Sequence, residues 1–251
     1  MCCCLALAQK EKNEFIQGVK FKDGTSLLEK SLEKEDDYYY GVEKAFDDAF
    51  NQYARRNGKK YAQSKQKLME PIVKRLYKYF NAENDNFDVC FNDCIQLSKN
   101  ILNNNLYGIA QKITNMSFKY LYCYQDMDAF KDKFEKCHLP LDKYTINWIK
   151  SLQNNTVNNG LKKIKNAWAN IEQPLYNDIQ KLVDDTLKTD TYTYRISFNE
   201  TANEQTCVLP KNKLLAEFII WHQEHLNELH LIIERHEKDF DRLGIQWLKS
   251  I

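Results

Sequence analysis

Four of the five histidines, His222, His225, His230 and His236, fall close together, and His222-Gln223-Glu224-His225 has the composition of a metalloprotease fragment. Such zinc enzymes place two imidazoles at i, i+4 with a glutamate general base between them, whereas this sequence offers i, i+3. His222 also falls on an apolar stripe, so no metal site and no cofactor are expected. A metal-dependent enzyme using His222 and His225 is the alternative, and it predicts stoichiometric zinc or iron. Cys90 and Cys94 are spaced C-x3-C, and no second pair follows at zinc or iron–sulfur spacing. They read as one face of a helix. The Cys2-Cys3-Cys4 triplet offers thiols for acylation or a metal-binding tail, or is a frayed end.

Basic clusters at Arg55-Arg56-Asn57-Gly58-Lys59-Lys60 and Lys162-Lys163-Ile164-Lys165 could meet phosphate or simply be solvated helix ends. There is no P-loop, Gly-rich dinucleotide turn or G-x-S-x-G elbow, which removes nucleotide-fuelled, Rossmann and hydrolase chemistry. The 36 Lys and Arg balance 35 Asp and Glu, so no global basic excess argues for nucleic acid. The apolar opening, Met1 to Ala8, runs straight into Gln9-Lys10-Glu11-Lys12, too short for a signal peptide or membrane span. Reduced cysteines and a cytoplasmic location, away from membrane, are therefore expected.

The elements that must carry these residues are helices. In 251 residues there are 7 Gly and 4 Pro, little turn chemistry for a many-stranded sheet protein. Residues 5–37 are charge-rich, a helix and loops. Tyr38 to Arg56 carries an apolar stripe that should stop at Asn57-Gly58, and a second helix over 61–80 should kink or split at Pro71. A helix through Val89 and Ile101 stops in Asn103-Asn104-Asn105. Leu106 through Cys123 is apolar on more than one face, the most core-like element. A short charged helix over 126–136 leads to Pro140 and Asp142, which announce a helix over 143–153. Helices over 161–170 and 174–188 follow. Tyr192, Tyr194, Ile196 and Phe198 alternate as a strand, with Cys207-Val208-Leu209 as its hairpin partner. Leu215 to Ile233 form a long helical stripe, and Leu243 to Leu248 close the chain.

The stretch Leu106-Tyr107-Gly108-Ile109-Ala110-Gln111-Lys112-Ile113-Thr114-Asn115, with Leu139-Pro140-Leu141-Asp142 downstream, resembles the helix-hairpin-helix DNA glycosylase superfamily. That family's signature is L-P-G-[IV]-G-x-K-T-A-N, followed by P-x-D opening a helix. The resemblance puts Leu106, Gly108 and Ile109 on the hairpin, Lys112 on the lysine that attacks the sugar in bifunctional members, Asn115 on the motif's Asn, and Asp142 on the essential aspartate. Tyr107, Ala110 and Ile113 depart from the pattern, and the segment from Gly108 to Asp142 is longer than the family's. A glycine-containing turn lets backbone amides approach phosphate at a helix N-terminus. A carboxylate at the next helix start can stabilise an oxocarbenium-like sugar while a flipped base leaves, and a buried lysine can lose its proton and attack. The stretch Gln111-Lys112 through Asn115-Met116 and Lys119-Tyr120-Leu121, with Cys137-His138 and Pro140-Leu141-Asp142, also resembles uncharacterised bacterial and phage-borne proteins of this size.

The expected protein is mainly α and two-lobed: an N-terminal segment, 1–37; a helical lobe with the hairpin-like motif, 38–157; and a C-terminal helical lobe with a small β-hairpin, 158–251. The resemblance implies double-stranded DNA as partner. Lys112 and Asp142 would be catalytic, and Gly108, Ile109, Ala110, Gln111, Lys119, Lys162, Lys163 and Lys165 would contact DNA. The alternative is a non-enzymatic helical interaction protein with a protein partner, which would expose an apolar patch, around Tyr38 to Tyr40. The ordinary roles of the two catalytic candidates are a snorkelling lysine and a helix cap.

Overall fold

Every residue of the helix Tyr107–Leu121 except Lys112 is buried. A helix can be covered on all sides only if other elements surround it, and the rest of the chain is arranged to do so. The computed structural model describes residues 3–102, 107–155, 164, 168–188, 193–198 and 203–242. In chain order these form α1 (Cys3–Gly18), α2 (Glu35–Asn81), α3 (Phe87–Leu102), α4 (Tyr107–Leu121), the short α5 (Lys131–Phe134), α6 (Lys143–Asn155), α7 (Gln173–Lys188) and α8 (Lys213–Arg242), with 3-10 turns at Leu27–Glu29, Met127–Phe130 and Trp168–Asn170. The protein is mainly helical. The backbone of β1 (Thr193–Phe198) pairs antiparallel with β2 (Asn203–Val208).

The helical run of α2 includes both Asn57-Gly58 and Pro71, and Pro71 does not split it as the local signal predicts. It nevertheless cannot be straight. At 1.5 Å per residue, Glu43 and Lys65 would lie about 33 Å apart along an axis, yet Lys65 Nζ is 2.9 Å from Glu43 Oε1 and 2.7 Å from Asp47 Oδ1. Tyr38 meets Tyr77 at 5.6 Å between ring centroids. The chain therefore reverses between Asp47 and Lys65, and two antiparallel arms close over α4. Phe118 of α4 packs against Tyr79 and Phe80, and Tyr120 donates its hydroxyl proton to Asp48 Oδ2 at 2.6 Å. Gly41 allows the close approach of the first arm: its amide donates to Tyr124 Oη at 3.0 Å.

α3 starts where Asn86 Oδ1 accepts the amides of Asp88 and Val89, a side-chain cap. Its Cys90 and Cys94 are buried, unbridged thiols on one face, as expected. α1 and α8 cover α4 from another side, and one cluster of buried apolar side chains, from Ala8 to Ile220, draws on every helix described. No helix among the described residues is long and apolar enough to cross a membrane.

The expected apolar patch at Tyr38 to Tyr40 does not exist. Tyr38 is fully buried, its hydroxyl donating to Leu32 O at 2.7 Å, and Tyr39 and Tyr40 pack against the core. Exposed large apolar side chains among the described residues are scattered singly at Leu5, Leu28 and Val89 and gathered on α8 at Leu229, Leu231, Ile232 and Ile233. Asn103 to Leu106, the 156–163 stretch, Lys165, the start of the expected strand at 189–192, and Leu243 to Leu248 lie outside the described residues.

Candidate functional site

α4 is buried along almost its whole length, yet it carries Gln111 and Asn115 one turn apart, both fully buried. An amide in that position must find partners or lose the desolvation energy of each unmet group. Gln111 finds them in the chain around Leu141: its Nε2 donates to Leu141 O at 3.0 Å and to Gly108 O at 2.9 Å, and its Oε1 faces Leu141 N at 3.4 Å. Gln180 of α7 does the same two residues earlier, accepting from Leu139 N at 3.0 Å and donating to Leu139 O at 2.8 Å. Two glutamines thus serve as a substitute strand for Leu139 to Leu141, which has no ladder of its own.

That anchoring fixes Asp142. Its Oδ1 accepts the amides of Tyr144 at 2.9 Å and Thr145 at 3.0 Å, and Thr145 Oγ1 accepts from Asp142 N at 2.8 Å and donates to Pro140 O at 2.9 Å. Asp142 is the N-cap of α6, buried at 8% exposure. Asp142→Ala should lower stability by about 1 kcal/mol, read as a shift of the urea midpoint, while Asp142→Asn, which keeps the cap, should shift it far less.

Lys112 lies on the same end of α4. Its ammonium stands 4.5 Å from the centre of the Trp168 ring, a cation–π contact. Burial pushes its pKa below the ordinary 10.5, opposed by the carboxylates of Asp142 and Asp48. The structure therefore brings the two catalytic candidates into one electrostatic neighbourhood. Asp48 itself is pushed up by burial, against the pull of its hydrogen bond from Tyr120.

The expected DNA contacts are placed differently. Gly108, Ile109, Ala110 and Gln111 are all buried. Gly108 faces Trp168 and Ala169: a Cβ there would lie 2.2 Å from Trp168 O. The glycine does permit a close backbone approach, by the chain itself. Lys119 is buried in an ion pair, Nζ to Glu217 Oε2 at 2.5 Å, with both side chains almost inaccessible. Lys162, Lys163 and Lys165 lie outside the described residues.

His222 and His225 diverge. His222 Nδ1 lies 2.8 Å from Glu11 Oε2, whereas His225 stacks on Trp221 and approaches Tyr144 Oη at 2.9 Å. A joint metal site is thereby removed. His138, given no role by the sequence beyond its place in the Cys137-His138 resemblance, closes a chain of buried hydrogen bonds. Asn115 Nδ2 donates to Gln111 Oε1 at 3.0 Å and to Tyr176 Oη at 2.8 Å, and Tyr176 Oη is 2.9 Å from His138 Nδ1. Burial lowers the His138 pKa from 6.5 to about 3, so the imidazole is neutral and its Nδ1 shares a hydrogen bond with the Tyr176 hydroxyl, the tautomer setting which of the two donates. The discernible sequence signal was Gln111 and Asn115 at i, i+4 on an apolar helix.

No protein-family model, no curated protein and no solved structure matches this chain.

Proposed function

We propose that the Lys112 site performs amine chemistry on an electrophilic sugar carbon, as in the helix-hairpin-helix glycosylases that the α4 segment resembles, with DNA as substrate. The observation that carries this reading is the convergence of Lys112 and Asp142. They are thirty residues apart in sequence, yet the Gln111 bonds to Leu141 hold their elements side by side. A lysine with a lowered pKa holds more neutral, nucleophilic amine at neutral pH than a solvated one. Asp142, held at a helix start, supplies the negative charge that an oxocarbenium-like sugar needs. Phosphate contact is assigned in this reading to Lys162, Lys163 and Lys165, because Gly108 to Gln111 are covered. A two-lobed arrangement with the β1–β2 hairpin in the C-terminal lobe belongs to the same proposal.

The test is borohydride trapping on a duplex carrying an abasic site, whose sugar aldehyde condenses with an amine and loses water. The expected result is a covalent adduct that disappears with Lys112→Ala, and duplex binding that weakens between low and moderate salt. Asp142→Asn should keep binding and fold and slow adduct formation. No adduct and no salt-sensitive binding would end this reading.

A second reading is favoured by Leu229, Leu231, Ile232 and Ile233, each at least 40% exposed on α8. Apolar side chains gathered on one helix point to a protein-interaction surface, and a chain working through it would be a non-enzymatic helical interaction protein.

A further inference from the structure

α1 and α8 pack antiparallel: Phe15 meets Phe218 at 5.3 Å between ring centroids, and one turn further along each helix Glu11 meets His222. Glu14 stands at i+3 from Glu11, on the same helical face. One donor atom from each of Glu11, Glu14 and His222 lies within 4.8 Å of the other two. Glu11 is 6% exposed, so a carboxylate has been withdrawn from water at the junction of the two helices. The imidazole alone would pair with Glu11. It leaves unexplained why Glu14 turns to the same point, since two carboxylates on one helical face repel each other. Its helical neighbour Lys10 lies at 3.5 Å, a weak and exposed pairing.

We propose that Glu11, Glu14 and His222 bind a divalent transition-metal ion of the zinc class, clamping α1 to α8. An imidazole with two carboxylates suits zinc, cobalt or manganese, and the nitrogen donor disfavours magnesium and calcium. Glu14 is exposed and His222 partly so, which leaves a coordination position open to water or a ligand atom. Three protein ligands with an open position characterise catalytic rather than structural zinc sites. This site is separate from Lys112, and neither proposal depends on the other.

The test uses the full chain stripped with chelator and carrying Cys2→Ser, Cys3→Ser and Cys4→Ser, so that terminal thiols cannot supply the ligands. Titration with cobalt(II) should give one bound equivalent with a visible d–d band, displaced by zinc and not by magnesium. Glu14→Gln, at an exposed position that should not disturb folding, and His222→Ala should each weaken binding by about tenfold or more. His225→Ala should leave it unchanged, and zinc in excess should raise the melting temperature of the parent and not of His222→Ala. No uptake of cobalt or zinc by the chain lacking Cys2, Cys3 and Cys4 would overturn the proposal. So would uptake that both Glu14→Gln and His222→Ala leave intact.

Discussion

Gly108→Ala is expected to destabilise the protein by about 3 kcal/mol, at the upper end of what overpacking costs. The new methyl would lie 2.2 Å from Trp168 O, 2.6 Å from Ala169 C and 2.6 Å from Ala169 O. These are backbone atoms and cannot rotate aside as the end of a long side chain would. Either α4 shifts, disturbing a helix buried along its length, or the Trp168–Asn170 turn lifts off. The second outcome would also withdraw the Trp168 ring from the Lys112 ammonium. Urea titration followed by tryptophan fluorescence measures both consequences, the midpoint and the change in the folded baseline. Gly18→Ala is the control, since a Cβ at Gly18 meets nothing within 4 Å. A Gly108→Ala midpoint as little changed as that of Gly18→Ala would mean that the Trp168 turn does not rest on α4.

What the sequence disclosed and what it concealed divide along a physical line. α4 was legible because apolar residues on several faces of one helix require cover on several sides, whatever supplies it. The start of α6 was legible because Pro140 and Asp142 act within one turn, and a cap needs no distant partner. The reversal within α2 was anticipated at about the right place by Asn57-Gly58, but not in its form, because the helical backbone carries on through both residues. Gln111 and Gln180 were opaque: an amide on a core-facing helix announces that it needs partners without saying which backbone will satisfy it. Gly108 was read as a point of approach for phosphate, and the three-dimensional structure shows that Trp168 and Ala169 of the chain itself occupy that approach. His222 was judged against His225 because they are neighbours in sequence, whereas its partner Glu11 comes from the opposite end of the chain.

Lys119→Met is expected to cost about 3–5 kcal/mol, the loss typical of leaving one member of a buried ion pair alone. Glu217 is 1% exposed, and its Oε1 has no hydrogen-bond partner among the described residues, so Lys119 is its principal compensation. Burial raises the Glu217 pKa above its ordinary 4.5, while Lys119 and Lys112 pull it down and Asp142 pushes it up. A carboxyl whose folded-state pKa is raised holds its proton where the unfolded chain has lost it, so its ionisation lowers stability as pH rises from 4.5 through the folded value. Removing Lys119 removes part of the downward pull and moves that folded value higher. The deficit of Lys119→Met relative to the parent should therefore be greatest at neutral pH and shrink as the pH is lowered toward 4.5. Denaturant titrations of both proteins across that range measure the trend. Adding Glu217→Leu should recover much of the loss at neutral pH, because two well-packed apolar side chains leave no charge to solvate. A pH-independent penalty below about 1 kcal/mol would show that Glu217 reaches water. Lys112 supplies a second readout: Lys119 lowers its pKa by like-charge repulsion, so Lys119→Met should hold Lys112 more fully protonated and slow any trapping reaction at neutral pH.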